Sequence, residues 1–272
     1  MSIGERPTLL LVGCGKMGGA LLSGWMEADF LGGVAVVEPA GDAAGFVGDP
    51  RVMQVRGAAE LDPAFRPSVI VLAVKPQVME MVAPAFARHV GPETVVLSIA
   101  AGRTLRSFDR LFPQAAIIRA MPNTPAAVGR GITVAVANRV VTQEQRALCD
   151  RLLAAVGAVE WVDEEALIDA VTALSGGGPA YVFLLIEVLA GAGAAAGLPP
   201  DLAMRLARAT VAGSGELARL SDQPADVLRR NVTSPNGTTQ AALDVLMGDA
   251  GVAPLFRRAI AAATARSREL AQ

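Results

Sequence analysis

The first half of the chain alternates short apolar runs with longer stretches of helical periodicity. The runs that we predict as strands are residues 8–12, 34–37, 69–74, 94–99, 116–121 and 132–137. Those at 69–74 and 94–99 are continuously apolar, which is typical of strands covered on both faces. Residues 142–157 are predicted to form a helix that Thr142 caps and Gly157 ends. Strands alternating with helices indicate a parallel α/β sheet.

The pattern changes after Trp161. Strand-like runs disappear there, and a helical periodicity of Ala, Leu and Arg continues to the end of the chain. We therefore place a domain boundary near Asp163, with an α/β domain over residues 1–162 and an all-helical domain over residues 163–272.

One segment, residues 181–198 ("YVFLLIEVLAGAGAAAGL"), is about as long as a membrane span. However, Glu187 lies inside it, and the Ala and Gly of its second half drive membrane insertion weakly. We therefore favour a helix of a soluble protein over a membrane span. A helix that is apolar on all sides must be covered on all sides, so this segment predicts a subunit interface.

Composition narrows the class of protein. The 272 residues are 52% hydrophobic and 18% charged, which is typical of a globular chain. The net charge is −2 and there is no basic stripe, so we expect no nucleic-acid or membrane partner. Cys14 and Cys149 form neither a disulfide framework nor a metal motif, and the N-terminal residues lack the basic region of a signal peptide. We expect a cytoplasmic protein without a metal site.

The stretch "LLLVGCGKMGGALL" indicates dinucleotide binding. Gly13, Gly15 and Gly18 form G-x-G-x-x-G between a predicted strand and a predicted helix. In this motif the first glycine allows a tight turn, the second lets a pyrophosphate approach the backbone, and the third lets helix pack on strand. Glycine-rich turns also occur for packing alone, but the strand and helix on either side favour a dinucleotide, so we expect the α/β domain to be a Rossmann domain.

Glu38 lies at the end of the second predicted strand, about 20 residues beyond the last glycine. A carboxylate there accepts hydrogen bonds from the ribose 2′-hydroxyl and repels a 2′-phosphate. No Arg occurs in the following residues 39–45 to offset that repulsion. The cofactor is thus expected to be NADH or NADPH, with Glu38 favouring NADH; the alternative is that Glu38 is a solvated turn residue.

The usual proton donors of reductases are scarce. The single histidine, His89, is expected at a solvated helix end, and Tyr181 has Leu185 rather than Lys four residues on. The only lysines, Lys16 and Lys75, lie in the first domain. Ketone reduction needs a strong donor for the developing alkoxide. An imine is basic enough to be protonated already, so its reduction requires orientation instead, and the sequence favours C=N over C=O as the hydride acceptor.

The loop "NVTSPNGTTQ" (residues 231–240) has a composition without acids or bases. Pro235 and the Asn236–Gly237 pair predict a turn, and the two threonines then open a helix. Unpaired N–H groups and the helix dipole at such an end attract a carboxylate. A plain helix cap is the alternative, although a cap needs only one Ser or Thr.

At this point the chain resembles the pyrroline-5-carboxylate reductases, the enzymes of the last step of proline synthesis. The resemblance covers nearly the full length and rests on "GCGKMGGAL" (13–21), "LAVKPQ" (72–77), "SIAAG" (98–102), "RAMPNTPA" (119–126), "SGGGPAY" (175–181) and "TSPNGTT" (233–239). It implies an N-terminal Rossmann dinucleotide-binding domain and an all-α C-terminal dimerisation domain that intertwines with its twin. The active site is then expected between the cofactor domain and the helical dimer, in a dimer or a multiple of dimers.

The resemblance also implies roles for residues. Ser234 and the N–H groups of Gly237 and Thr238 would receive the substrate carboxylate, Thr239 would be the catalytic group that hydrogen-bonds the ring nitrogen, and Asn231 would lie near cofactor and substrate. The expected cofactor-binding residues are Gly13, Cys14, Gly15, Lys16, Met17, Gly18, Glu38, Ala73, Val74, Lys75, Pro76, Ala100, Met121, Pro122 and Asn123.

The sequence departs from the family pattern at four positions. Lys16 replaces the usual Asn of the glycine-rich turn, and a cation beside a pyrophosphate is tolerable. Asn236 replaces the first of two glycines, and Asn accepts the left-handed conformation better than most residues. Gly177 replaces a Ser, which puts the task of that hydroxyl in doubt. Glu38 departs because the family often uses NADPH.

The expected activity is the reduction of 1-pyrroline-5-carboxylate to L-proline by NAD(P)H. Two alternatives stay open. A β-hydroxyacid-dehydrogenase-like oxidoreductase shares the domain plan, but it would need a catalytic Lys in the helical domain, which has none. A non-catalytic dinucleotide sensor or scaffold would bind the cofactor without forming proline.

Overall fold

The computed structural model describes residues 6–40, 45–46 and 48–271. Its eight strands are β1 (Thr8–Val12), β2 (Gly33–Val37), β3 (Val52–Val55), β4 (Val69–Leu72), β5 (Val95–Ser98), β6 (Ala116–Met121), β7 (Gly131–Ala137) and β8 (Gly157–Trp161). Its helices are α1 (Lys16–Ala28), α2 (Met79–Val82), α3 (Leu105–Leu111), α4 (Gln143–Ala154), α5 (Leu167–Val171), α6 (Gly178–Ala195), α7 (Pro200–Leu220), α8 (Ala225–Asn231), α9 (Thr238–Leu246) and α10 (Val252–Leu270). A π-helical turn, Thr172–Gly176, joins α5 to α6.

The chain forms two compact units. The sheet unit comprises Met1–Gly176 and Ala263–Gln272, and the helical unit comprises Gly177–Ala262. The sequence pattern placed the domain boundary near Asp163. The last strand ends just before that residue, at Trp161, but the compact sheet unit continues beyond it through α5 and the π-turn. The end of α10 also belongs to the sheet unit, where Ser267 Oγ donates to Asp169 Oδ1 at 2.7 Å.

The sheet has the strand order β3-β2-β1-β4-β5-β6-β7-β8. Six of its pairs are parallel, and only β6 and β7 run antiparallel. The first six strands follow the order 3-2-1-4-5-6 of a dinucleotide-binding sheet, in which ligands bind beyond the carboxyl ends of the strands near β1 and β4. The α/β expectation is confirmed, with one antiparallel pair that the sequence did not predict.

Both faces of the sheet are covered, as the continuous apolar runs predict. Leu9 and Leu11 of β1 face one cluster of buried residues, and Leu10 and Val12 face the other, because successive side chains of a strand point to opposite faces. The three leucines are fully buried. This two-sided core holds the strand ends that carry the candidate site in fixed register.

The two tryptophans of the chain belong to the sheet unit. Trp25 of α1 is fully buried, and its Nε1 donates to the Leu152 carbonyl at 2.9 Å. Trp161 at the end of β8 donates to Asp150 Oδ1 at 2.8 Å, and the Arg146 guanidinium lies 4.3 Å from its ring centre. Each indole N–H thus has an acceptor, as a buried or half-buried ring requires.

Several local expectations were wrong or incomplete. Strands β3 and β8 were not predicted, and Gly157 begins β8 instead of ending α4, which stops at Ala154. His89 is fully buried rather than solvated. One ring nitrogen lies 3.0 Å from the Phe65 carbonyl and the other accepts from Arg88 Nε at 3.2 Å. The predicted cap is confirmed, because Thr142 and Gln145 form a complete capping box.

The helical unit is built from α6 to α9 and the first part of α10. Within residues 177–262, all of which are described, the buried apolar residues are only Ala190, Ala203 and Ala207. Large apolar side chains of α6 stay exposed, among them Phe183 at 59% and Leu184 at 56%. The helical stretch Leu167–Ala195 is long and apolar enough to cross a membrane, judged by length and composition only.

Candidate functional site

The turn after β1 has the geometry of a phosphate cradle. Gly13 has φ +92°, which favours glycine, and a Cβ on it would lie 2.9 Å from Val74 Cγ1. A Cβ on Gly18 would collide with the carbonyl oxygen of Gly13. By contrast, no atom of the described residues lies within 4 Å of a Cβ placed on Gly15. The first and third glycines are therefore required by packing, and the second leaves open space beside the backbone.

Helix α1 begins directly after this open position. Its N-cap is Gly15, and no described side chain caps it. The first N–H groups of a helix have no partner within the helix, and together with the helix dipole they attract an anion. The residues present therefore fit the pyrophosphate of a dinucleotide.

The Glu38 carboxylate lies against the same turn. Its Oε2 accepts from the backbone N–H of Cys14 at 2.8 Å, and its Oε1 accepts from that of Ala40 at 3.2 Å. These two bonds argue against the alternative of a freely solvated side chain. They fix the carboxylate beside the glycine-rich turn. Of residues 39–45, which contain no Arg, residues 41–44 lie outside the described part of the chain.

The other predicted cofactor residues follow neighbouring strands at the same edge of the sheet. Ala73 to Pro76 follow β4, Ala100 lies just beyond β5, and Met121 to Asn123 end and follow β6. Strands β1, β4, β5 and β6 are adjacent and parallel, so their carboxyl ends meet at one edge. The structure thus brings these residues together with the glycine-rich turn, at the sheet edge where such ligands bind.

Arg103 joins two of these loops and was missed by the sequence analysis. Its Nε and Nη2 both donate to the Pro76 carbonyl, at 3.2 and 2.7 Å, and its Nη1 pairs with Glu80 Oε1 at 2.7 Å. Arg103 therefore ties the segment after β5 to the segment after β4 by hydrogen bonds and an ion pair. The one sequence feature that could have indicated this role is that Arg103 directly follows the motif "SIAAG".

Buried Arg119 of β6, just before the Met121–Asn123 loop, forms an ion pair with half-buried Glu165. Arg119 Nη1 pairs with Glu165 Oε1 at 2.7 Å, and the same oxygen accepts from the Leu105 N–H at 2.8 Å. The Arg119 side chain is 4% exposed, and its Nη2 has no hydrogen-bond partner among the described residues. Removing one member of such a pair is costly because the other charge stays buried. Sequence patterns gave no sign of this pairing.

In the helical unit, the loop between α8 and α9 has the turn that its sequence predicts. Asn236 adopts φ +59°, so it takes the left-handed conformation expected of it in place of glycine. The N–H of Gly237 donates to the Ser234 carbonyl at 3.0 Å and closes the turn. This bond differs from the expected role of that N–H as a carboxylate ligand.

Helix α9 begins without a side-chain cap. Its N-cap is Gly237, and its first helical hydrogen bond runs from the Ala241 N–H to the Gly237 carbonyl at 3.1 Å. The N–H groups of Thr238, Thr239 and Gln240 have no partner among the described residues. Nor do the exposed hydroxyls of Ser234, Thr238 and Thr239 bond to another described residue. The polar groups of this loop are therefore presented outward rather than consumed by capping.

Two other predicted positions have different neighbours. Asn231 is the last residue of α8, and its Nδ2 donates to Gln223 Oε1 at 3.1 Å. Gly177 is the N-cap of α6 and has helical dihedrals, and no described side chain caps that helix either. The structure therefore offers no described substitute for the family's serine hydroxyl at this position.

Metal ligands and thiols are the other groups of chemical interest among the described residues. Within the described residues, no group of three or more His, Cys, Asp and Glu side chains could hold a metal ion. Cys14 and Cys149 are both buried and form no disulfide. Burial, reinforced by the neighbouring charge of Asp150, raises the pKa of the Cys149 thiol far above its ordinary value, so this thiol stays protonated.

Two known families match different parts of the chain. The family described as pyrroline-5-carboxylate reductase dimerisation matches residues 165–270. The family described as NADP oxidoreductase, coenzyme F420-dependent, matches residues 8–102.

Individual proteins match over nearly the whole length. The chain is 38% identical to a pyrroline-5-carboxylate reductase of Pseudomonas aeruginosa over 98% of both chains. It is 44% identical to that of Synechocystis over 81% of this chain and 82% of that protein.

Solved structures extend the likeness to the fold. A pyrroline-5-carboxylate reductase from Coxiella burnetii superposes with a TM-score of 0.90 at 33% identity, over 98% of this chain and 100% of the other. The pyrroline carboxylate reductase of Plasmodium falciparum, solved with NADP bound, gives a TM-score of 0.82 at 28% identity over 99% and 100% of the two chains.

Proposed function

The chain belongs to the pyrroline-5-carboxylate reductase family, and from this premise we propose how its residues divide the work of the reaction. The protein is an oxidoreductase that reduces 1-pyrroline-5-carboxylate to L-proline with a nicotinamide dinucleotide. The observation that carries the proposed division is the start of α9, where three N–H groups and two threonine hydroxyls are presented without a capping partner among the described residues.

The substrate carries one carboxylate and one basic ring nitrogen. We assign the carboxylate to the N–H of Thr238 and the hydroxyl of Ser234, where the dipole of α9 adds to the attraction. The N–H of Gly237 binds the carboxylate only if it first gives up its hydrogen bond to the Ser234 carbonyl. Thr239, next along the helix, then offers its hydroxyl to the ring nitrogen. Asn231 is the last residue of α8, three positions before Ser234, and we assign it a place near the substrate.

The chemistry requires orientation more than acid strength. The imine nitrogen is protonated before reduction, so Thr239 has no difficult proton to supply and instead holds the nitrogen in place. As hydride transfer turns the planar iminium into a pyramidal amine, a lone pair develops on the nitrogen and the Thr239 hydroxyl donates to it. This bond is absent from the iminium, so it stabilises the transition state more than the ground state, which is the condition for a bond to accelerate the step. The sequence has no Tyr-x-x-x-Lys pair and no Lys in the helical domain, which is consistent with this assignment.

The dinucleotide is assigned to the edge of the sheet unit. The turn at Gly13, Gly15 and Gly18 and the start of α1 hold its pyrophosphate, with Lys16 adding a cation beside it. The bound dinucleotide supplies the hydride. The loops after β4, β5 and β6 lie along the same edge and receive the ribose and nicotinamide.

Glu38 sets the cofactor preference toward NADH. Its carboxylate is fixed by the N–H groups of Cys14 and Ala40 and cannot turn away from a 2′-phosphate without giving up both bonds. A phosphate there would therefore meet a negative charge and also disturb the glycine-rich turn. A ribose hydroxyl would instead donate to the same carboxylate.

The protein dimerises through its helical region, as its family does. We propose that it assembles as a homodimer or as a multiple of dimers and that it acts in the cytoplasm. The exposed apolar side chains of α6 support self-association, since patches of this kind mark interaction surfaces.

The decisive experiment follows NADH or NADPH oxidation with racemic pyrroline-5-carboxylate and identifies the product. We expect proline to form and pyruvate, the ketone control, to be inert. 3-Hydroxyisobutyrate with the oxidised dinucleotide is the control for a hydroxyacid dehydrogenase. Tight dinucleotide binding without proline would favour the sensor or scaffold, and turnover of the hydroxyacid would favour the dehydrogenase.

A further inference from the structure

The Asn123 side chain is held on two sides. Its Oδ1 accepts from the Ile132 N–H at 2.9 Å, and its Nδ2 donates to the Ser175 carbonyl at 3.3 Å. The first bond ties the loop after β6 to the start of β7. The second ties the same loop to the π-turn Thr172–Gly176. Two bonds in opposite directions fix both the plane and the flip of the carboxamide.

The π-turn is itself an irregular segment with side-chain support. Thr172 Oγ1 donates to the Ile168 carbonyl at 2.7 Å, and Ser175 Oγ donates to the Val171 carbonyl at 3.2 Å. π-Turns within helices are rare and occur frequently at functional sites. Here the turn comes directly before α6 in the chain.

A second contact joins the loop and the π-turn. A Cβ placed on Gly176 would lie 2.6 Å from Met121 Cε, so the methionine methyl already fills the space above this glycine. Met121 and Asn123 are separated by one residue, the buried Pro122. The whole loop Met121–Pro122–Asn123 is thus seated on the π-turn by a methyl group at one end and a carboxamide at the other.

We propose that Asn123 is a positioning residue and not a ligand of the nicotinamide. It acts through the loop, which it holds at a set distance from β7 and the π-turn, so that the backbone and Met121 present a rigid support to the ring. The proposal rests on the proposed function, since it assumes that this loop lies at the nicotinamide end of the dinucleotide. It replaces the expectation that the Asn123 side chain binds the cofactor directly.

The chain contains a matched control. Asn138 follows β7 at the opposite end of the β6–β7 pair and makes an equivalent bridge. Its Oδ1 accepts from the Ile117 N–H at 3.1 Å, and its Nδ2 donates to the Ala115 carbonyl at 2.9 Å and to Asp109 Oδ1 at 3.4 Å. The carboxamides of Asn123 and Asn138 thus serve the same strands, but only Asn123 lies at the proposed cofactor edge.

The experiment compares Asn123→Asp with Asn138→Asp in the full-length protein. Each change keeps an acceptor for a backbone N–H and replaces a donor by an oxygen that faces a carbonyl. In Asn138→Asp the new carboxylate also faces Asp109, so we expect its loss of thermal stability to be at least as large as that of Asn123→Asp. We expect kcat with pyrroline-5-carboxylate to fall about 10- to 100-fold in Asn123→Asp and to stay within about twofold in Asn138→Asp, because misplacement by about 1 Å costs on that scale.

Three further readouts separate positioning from a structural or ligand role. In Asn123→Asp, the dissociation constants of NADH and ADP-ribose should stay within about threefold of the wild type, since a positioning residue contributes no binding contact. The fluorescence of bound NADH should fall, because the ring is held less firmly. With 4-deuterated NADH the primary isotope effect on kcat should rise, because hydride transfer becomes slower than the other steps.

Two results would overturn the proposal. A tenfold or greater loss of NADH affinity with ADP-ribose affinity unchanged would make Asn123 a nicotinamide ligand. Equal behaviour of the two variants in kcat and in bound-NADH fluorescence would make its role structural only. If Asn123→Asp fails to fold, Gly176→Ala displaces the Met121 methyl instead, and the same criteria apply to it. A wild type that binds NADH but forms no proline contradicts the proposed function, while the fluorescence comparison still decides the role of Asn123.

Discussion

The sheet unit and the helical unit differ in how much of their apolar surface one chain can cover. In the sheet unit, residues of every central strand are fully buried, and helices cover both faces. In the helical unit the buried apolar residues, across residues 177–262, are three alanines. A single chain therefore completes the first core and leaves the second open.

The difference shows what each kind of architecture requires. A parallel sheet obtains its covering helices from its own crossover connections. Helix α6 is apolar at nearly every position, Glu187 excepted, and α7 can cover only one side of it. The match of residues 165–270 to a dimerisation family supplies the missing cover as a second copy. The cofactor edge thus lies in the unit that one chain completes, whereas the proposed substrate loop lies in the unit that needs a partner.

The largest expected effect comes from placing a charge on the open core. Leu184→Arg puts a guanidinium on α6, where the wild-type side chain is 56% exposed in one chain. An uncompensated buried charge costs several kcal/mol, so the dimer dissociation constant should rise by about 100-fold or more. Sedimentation velocity and proline-forming activity should both report the loss.

Val140→Arg is the matched control in the sheet unit, where Val140 is 54% exposed on a loop. We expect it to leave assembly and activity unchanged. A Leu184→Arg protein that remains an active dimer at low micromolar concentration would show that this face of α6 is not the interface.

A smaller effect should follow from one hydroxyl of the substrate loop. Thr239→Val keeps the shape and removes the proposed hydrogen bond to the ring nitrogen. We expect kcat to fall roughly 10- to 1,000-fold, with the range set by whether the bond merely orients or strongly stabilises the transition state. Thr239→Ser should retain much of the activity, and NADH affinity should not change in either variant.

Thr233→Val tests whether any hydroxyl in the loop would matter. Thr233 Oγ1 donates to the Arg229 carbonyl at 2.7 Å, so its loss should cost stability of about 1 kcal/mol and little activity. If Thr239→Val turns over as fast as the wild type, the loop is a helix terminus and the assignment of Thr239 is wrong.

The smallest expected effect is a change of cofactor preference, which depends on the sheet unit alone. The wild type should use NADH at least as well as NADPH in kcat/KM. Glu38→Ser should shift that ratio toward NADPH by about tenfold or more, because it removes a repulsion of about 1–2 kcal/mol. Glu38→Gln removes the charge but keeps an acceptor for the Cys14 N–H. It therefore tests the effect of the charge separately from that of the hydrogen bond. A wild type with a strong preference for NADPH would contradict the argument from Glu38.

The sequence predicted best what depends on local pattern. The central strands were found because burial on both faces makes them continuously apolar, and the cap at Thr142 and the left-handed Asn236 follow from the chemistry of single residues. Strands β3 and β8 were missed. Their burial alternates or is partial, because they lie at the edges of the sheet, and their short mixed sequences resemble loops.

What the sequence could not give depends on partners far along the chain. His89 looked solvated because its acceptor is the Phe65 carbonyl, 24 positions away. The clasp of Arg103 on Pro76 and the pair of Arg119 with Glu165 likewise need the folded register of the sheet. The cofactor residues were predicted from motifs. The side-chain hydrogen bonds and ion pairs that hold their loops were not predicted, because such partners leave no periodic pattern in the sequence.

The placement of Trp25 and Trp161 divides the molecule for spectroscopy. Both indoles belong to the sheet unit, and the helical unit carries Tyr181 as the only tyrosine of the chain. Excitation at about 295 nm therefore reports the sheet unit alone, while far-ultraviolet circular dichroism is weighted toward the helices. A denaturation followed by both signals at several protein concentrations will show whether the two units melt together, with no label attached.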